Sequence, residues 1–400
     1  MFPTKSIGIS EIACRAGGQA SEKTAPDEEW WIMRKTRQAS GILKPVPSDL
    51  FVVHGPNAEM RWDAMPGQGL LVPNDRFFVR NHTRTPLIDA RTWRLRLFGT
   101  GLRGAPTRAR AVEFGYADLL DMPSRTLDAV IECAGNGRAL FERQQGAAKP
   151  GIPWHLGAVG AARWRGVPLA AVLERAGLRP EAVDVLPAGL DPAYRVDGED
   201  FGPVRRPLPV GKALDDVLVA YEMNGEPLPP DHGFPARLVV PGWVGVASIK
   251  WLGEIEVADR PLSSPWTTRF YRMAGPGYPA AGGPPLAEQV AKSAFELPWD
   301  ARVPLGRPVV LTGRSWAPHG PVRAVEVSVD GGATWRPARL REGGAVWCRW
   351  EVEWCPDRTG PVTLAARAVD AAGVRQPAAA APNDDGYLFD AAVQHRVQVA

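Results

Sequence analysis

Cysteine is scarce: Cys14, Cys133, Cys348 and Cys355 are the only four in 400 residues. No two of them form a C-x-x-C pair, which excludes a zinc site of paired thiolates, a dithiol redox motif and a disulfide scaffold. Long apolar runs are missing too. No segment approaches the roughly 18 to 20 continuous apolar residues of a membrane span. The first 30 residues show neither the charged start and apolar core of a secretory signal nor a twin-arginine pair before an apolar stretch. The expectation is a chain without a membrane span in the cytoplasm, or in the periplasm if a leader has been trimmed. There is little excess of charge. With 47 Lys and Arg against 44 Asp and Glu, the net charge of +3 leaves no electrostatic footprint for nucleic acid or anionic lipid. Nor is the composition that of a disordered chain, since 45% of residues are hydrophobic and 23% charged.

What is abundant is Gly (42), Pro (40) and Trp (15), a mixture that favours turns and short strands and excludes an all-α bundle. At this length one core gives way to two. Residues 1–50 are polar and read as an extended arm anchored by Trp30 and Trp31. Over 51–274 strands and helices mix. Residues 93–97 alternate as a half-buried strand, and Leu169, Val172, Leu173 and Ala176 carry helical spacing ended by Gly177. Strand candidates at 129–132 and 237–240 abut loops dense in Gly, Pro, Asn and His, where binding residues are commonly displayed. The Gly- and Pro-rich stretch 274–285 can neither extend a helix nor sit in a central strand, and it marks a boundary. Beyond it, 309–311, 325–329, 347–354 and 362–368 alternate, and Asp330-Gly331-Gly332 signals a hairpin. The fold class expected is α+β: a mixed α/β domain (51–274) followed by an immunoglobulin-like all-β sandwich (275–400) lacking the Cys and Trp arrangement of antibody domains.

The chemistry centres on Ile131-Glu132-Cys133-Ala134-Gly135-Asn136-Gly137-Arg138. A cysteine ends a strand, and two glycines and an asparagine permit a tight loop with exposed backbone amides. A thiolate is a soft ligand for a redox-active metal, and Arg138 nearby favours the ligating form. Taken alone, the fragment fits a buried structural cysteine better, since that is the commoner fate of a lone Cys.

The loop Glu132 to Arg138 resembles the cysteine loop of sulfite oxidases, and four further stretches match that family in the same order. They are Phe77-Phe78-Val79-Arg80-Asn81-His82, the segment 154–160 headed by Trp154, the run 221–237 containing Tyr221-Glu222-Met223-Asn224-Gly225 and His232-Gly233-Phe234-Pro235-Ala236-Arg237, and Ser248-Ile249-Lys250-Trp251-Leu252. The resemblance spans roughly residues 50–400 and is weakest in the last domain.

That resemblance implies a molybdenum ion held by the dithiolene of a pterin, with Cys133 as the only protein ligand. It implies cofactor contacts from Phe78, Val79, Arg80, Asn81, His82, Asp191, His232, Arg237, Ser248, Ile249 and Lys250, with Arg237 and Lys250 taking the phosphate. Asp191, in Gly189-Leu190-Asp191-Pro192, could equally be a turn former. Arg80 and Arg138 would bind a small oxyanion, beside Trp154 as wall and Tyr271 near the metal. The implied reaction is oxidation of sulfite to sulfate by oxygen-atom transfer at molybdenum, electrons passing to an external acceptor such as cytochrome c or oxygen. The alternatives are reduction of an S-oxide, a non-catalytic pterin or oxyanion binder, and a subunit active only with a cytochrome. Two departures stand out. Animal and plant members carry another pocket arginine shortly before a final His-Arg-Val, whereas here His395-Arg396-Val397 follows Asp384-Asp385-Gly386-Tyr387-Leu388-Phe389 without one. A His-Pro-Gly-Gly haem motif is also missing, so no haem is expected. The last domain resembles the one through which the family dimerises, and a homodimer is expected.

Overall fold

A computed structural model of the protein describes residues 41–343 and 346–400. Most of the expected amino-terminal arm, with Cys14, Trp30 and Trp31, lies outside the described residues. Residues 41–50 run against the first unit, where the amides of Leu43 and Lys44 donate to the Asp231 carboxylate.

The first unit contains two five-stranded sheets. One runs in the order Leu208–Pro209, Asp184–Gly189, Leu252–Ala258, Arg94–Phe98, Val112–Gly115, and its single parallel pair joins Leu252–Ala258 to Arg94–Phe98. The other pairs Arg125–Glu132 with Val159–Pro168, then Leu218–Met223, which also takes Glu226–Pro227 and Arg237–Val239. The last four residues of Arg125–Glu132 are all buried, and Glu132 lies opposite Val159, so the chain leaves the sheet at Cys133 with its register settled. The helix expected from 169 forms at Leu169–Arg175, burying Leu169, Val172 and Leu173. Gly177 follows at φ +90°, the left-handed conformation that closes a helix.

The second unit pairs two sheets around one core. Lys292–Phe295, Val309–Trp316, Trp347–Trp354 and Arg339–Gly343 form the first sheet, and Ala301–Val303, Val393–Val399, Gly360–Val369, Ala324–Ser328 and Arg336–Pro337 the second. Trp350, Val352 and Trp354 meet Leu364, Ala366, Ala368 and Val397 between them. The strand read as 309–311 runs through Val309–Trp316. Its outer half hides its alternation because Arg314 and Ser315 are buried polar residues, Arg314 paired with the equally buried Glu296. Gly313 is needed there, since a Cβ would fall 2.1 Å from the Trp350 ring.

Tryptophans and buried ions join the units. Trp62 donates its indole N–H to Phe295 O (2.7 Å), Arg314 donates to Gln68 O and Gly69 O, and Lys292 lies 2.6 Å from Glu132, the residue before Cys133. Among the described residues no helix is long and apolar enough to cross a membrane.

Candidate functional site

The Cys133 loop is shaped by its own backbone. Cys133 N donates to Ala158 O and Asn136 N to Cys133 O, both at 2.9 Å, and Gly137 at φ +91° turns the chain into the helix Arg138–Gln145. The Asn136 side chain donates to Glu132 and accepts from Ala158 N, which holds the loop on the neighbouring strand. The thiol is therefore presented at a sheet edge, buried yet facing two cavities.

The inner cavity lies on one side of the thiol. Phe78, Arg80, Asn81, His82, Cys133, Asp191, His232, Arg237, Ser248, Ile249, Lys250 and Tyr271 all line it. The outer cavity is bordered by Arg80, Cys133, Arg138, Trp154, Tyr271, Tyr194, Phe270, Asp385 and Tyr387. Arg80, Asn81, His82, Cys133 and Tyr271 belong to both, so the two cavities meet at the cysteine. Val79 lines neither: it packs with Ile42, Phe51 and Ala58, and its N–H and C=O pair with Ala58.

The inner cavity gathers buried cations. Burial holds the Arg237 guanidinium down to about 9, and burial followed by the neighbouring Arg237 holds Lys250 well below its ordinary value. His82 and His232 are pushed well below theirs, chiefly by burial and then by Arg80 and Lys44 respectively. Arg237 is already engaged, donating to Leu238 O, His232 O and Ser248 O with its guanidinium over Trp164. Lys250 donates to Asn81 Oδ1 and to Asp231 O. His82 Nε2 lies 3.2 Å from both the Trp266 indole nitrogen and the Tyr271 hydroxyl. An indole N–H can only donate, so Nε2 accepts and the imidazole proton sits on Nδ1. Asp191 accepts from Val204 N through Oδ2, while its buried Oδ1 has no partner; burial raises its carboxyl to about 6.

The fit to an anionic, donor-rich cofactor follows from these groups. Clustered cations call for an anion, and the orphaned Asp191 oxygen calls for an N–H donor of the kind a pterin ring carries. No group of three or more His, Cys, Asp or Glu residues is placed to hold a metal among the described residues, so a metal at Cys133 needs ligands from a cofactor.

In the outer cavity Arg138 donates from Nε to Asp385 O (2.7 Å) and from Nη1 to Ile152 O (2.9 Å), with its guanidinium 5.3 Å from the Tyr387 ring centre. Tyr387 stacks on Tyr271 at 5.5 Å. Burial acts against the charge of Arg80, but the surrounding Tyr271, Cys133, Tyr387 and Tyr194 outweigh it and raise its pKa. Burial raises the Tyr271 phenol against the pull of Arg80, so its hydroxyl is a proton-bearing donor at neutral pH. Sequence reasoning missed Asn57, Tyr194, Phe270, Asp385 and Tyr387 as lining residues. Only the absence of an arginine from 384–389 had pointed at that wall.

Residues 82–266 match the family described as oxidoreductase molybdopterin binding domain, and 290–400 match the Mo-co oxidoreductase dimerisation domain. Mitochondrial sulfite oxidase of Mus musculus is 35% identical over 353 residues, which cover 83% of this chain and 62% of that protein. The chain thus spans less than two thirds of that relative. Sulfite oxidase of Gallus gallus is 34% identical over 352 residues, covering 82% of this chain and 73% of that one. The crystal structure of the sulfane dehydrogenase SoxCD from Paracoccus pantotrophus superimposes with a TM-score of 0.73 at 26% identity, covering 97% of this chain and 94% of that chain. With the cysteine loop, the cationic inner cavity and these likenesses in agreement, the chain belongs to the sulfite oxidase family of molybdopterin oxidoreductases.

Proposed function

We propose that this chain binds the molybdenum cofactor with Cys133 as its one protein ligand and oxidises sulfite to sulfate. The observation that carries this reading is the meeting of the two cavities at Cys133 and Arg80, one cationic and donor-rich, the other open to a small anion. When bound, the cofactor supplies oxygen-atom transfer and the two-electron redox couple. Lys250, His82, His232, Asp191 and the Arg237 frame would hold it. Arg80 and Arg138 bring positive charge to the oxyanion, and the backbone carbonyls that grip Arg138 keep its guanidinium pre-set. The Tyr271 hydroxyl, kept protonated by burial, donates a hydrogen bond at the junction. Trp154 forms part of the wall of the outer cavity. Electrons pass to an external acceptor, cytochrome c or oxygen.

One observation favours a second reading, oxidation of sulfane sulfur as the name of the SoxCD relative has it. The wall formed by 384–389 offers Asp385 and Tyr387 where a third cation would suit a dianion. The two-sheet second unit, with hairpin and core as described, supports an immunoglobulin-like sandwich, and its match to a dimerisation domain supports a homodimer.

Cys133→Ser tests the main reading. It should abolish sulfite-dependent reduction of ferricyanide while circular dichroism and the pterin content stay as in the wild type. Sulfite turnover at the wild-type rate would refute Cys133 as ligand, and a wild type turning over a persulfide but not sulfite would favour the second reading.

A further inference from the structure

The short strand Asn57–Met60 precedes the matched molybdopterin segment and was assigned no chemistry from sequence. It is buried throughout and runs between two walls of the outer cavity. On one side Ala58 and Val79 exchange both backbone hydrogen bonds (2.9 and 2.8 Å), and Asn57 Oδ1 accepts from Asn81 N at 2.9 Å and Arg80 Nη1 at 3.3 Å. On the other side Met60 N donates to Gly157 O, and the Glu59 carboxylate collects the segment that follows Trp154. It accepts from His155 N (2.9 Å), Gly157 N (3.2 Å), His155 Nδ1 (3.0 Å) and His54 Nε2 (3.2 Å). The approach is so close that a Cβ at Gly157 would lie 1.7 Å from Met60 O. His54 in turn sets its ring edge against the Trp154 indole at 5.4 Å.

We propose that Asn57 and Glu59 are positioning residues, which fix Arg80 and Trp154 at a set separation across the outer cavity and so orient the anion between them. The inference rests on the anion-pocket reading given above. Its physical basis is that successive residues of one strand bond opposite walls: 57 and 58 grip the Arg80 loop, 59 and 60 the Trp154 loop. Neither Arg80 nor Trp154 lies in a regular element of its own, so their aim rests on such bonds, together with Arg80 Nη1 to Asn81 O and the backbone bonds of Trp154 to Ile152 and Ala139. Glu59 is 1% exposed and is held by neutral amides and two imidazoles; burial raises its pKa, and the histidine hydrogen bonds outweigh burial and lower it. An ionised acceptor is what two convergent backbone N–H groups need.

Glu59→Gln keeps the shape but turns an NH₂ group toward those donors. Hydrogen exchange by mass spectrometry on cofactor-free protein should show protection over 154–157 falling about tenfold, with 79–81 unchanged. Asn57→Ala should do the reverse, and Asn57→Asp, which keeps the acceptor, should restore protection at 79–81. In loaded Glu59→Gln protein the KM for sulfite should rise about tenfold with kcat down less than about threefold and molybdenum per chain unchanged. Wild-type exchange over 154–157 in Glu59→Gln would overturn the proposal. So would activity lost only in proportion to molybdenum content, the signature of a merely structural role. The exchange measurements need no cofactor and no turnover, so they decide the positioning claim even where sulfite proves not to be the substrate.

Discussion

Replacing Lys292 by Met should uncouple the Cys133 loop from the second unit at a large and calculable cost. Lys292 Nζ lies 2.6 Å from Glu132 Oε1 and 2.7 Å from Asn136 O, and the side chains of the pair are only 2% and 4% exposed. Glu132 also accepts from Asn136 Nδ2 and from the Trp316 indole, both at 2.9 Å. Removing the cation strands a buried carboxylate, a change that costs about 3–5 kcal/mol when a buried pair is broken. The two surviving donors solvate Glu132 in part, while Asn136 O loses a donor worth about 1 kcal/mol, so the net loss should be near 4 kcal/mol. Equilibrium urea unfolding followed by tryptophan fluorescence reads it directly. The double variant Glu132→Gln with Lys292→Met carries no stranded charge and should recover about 2 kcal/mol of the loss, the coupling expected for direct contact. A single-variant loss below about 1 kcal/mol, or a double variant no better than the single, would refute the view that this pair anchors the cysteine loop.

The remaining expectations concern the two cavities and assembly. Arg138→Gln should raise the KM for sulfite about ten- to a hundredfold, the worth of one charge-assisted contact, and an unchanged KM would remove Arg138 from the anion site. Asp191 has its folded carboxyl raised from 3.8 to about 6, chiefly by burial, so the folded state holds the proton more tightly than the unfolded one. Its contribution to stability is therefore greatest below pH 3.8 and is lost as pH rises through about 6, by about 3 kcal/mol in all. In cofactor-free protein, Asp191→Asn should flatten the urea midpoint between pH 4 and 7; an unaltered slope would contradict this. Light scattering at micromolar concentration should give twice the 43.3 kDa of one chain, and a mass equal to one chain would exclude the homodimer.

Much of the site was legible because its residues sit in contiguous motifs on locally coded elements. The buried run ending in Glu132 and the glycines after Cys133 announce a strand followed by a tight loop, and the spacing of Leu169, Val172 and Leu173 announces the helix that follows the neighbouring strand. His232, Arg237, Ser248 and Lys250 were within reach for the same reason, as neighbours along the chain that also share a cavity. Val79 shows the limit of that reasoning: the motif contains it, but its isolated bridge to Ala58 turns it into the core with Ile42 and Phe51, while its neighbours Phe78 and Arg80 face the cleft. Periodicity failed where polar side chains are buried, as at Arg314, because a charged residue reads as exposed until the fold supplies its Glu296. The amino-acid sequence by itself determined the element types, the order of the motifs and the cysteine at a strand end, all set by local geometry. Only the tertiary structure decided that Asn57 and Glu59 brace opposite walls, that Tyr387 stacks on Tyr271, and that Lys292 neutralises Glu132 160 positions away. A pairing between distant residues leaves no trace in local spacing, and whether a polar group is buried depends on the partner the fold brings to it.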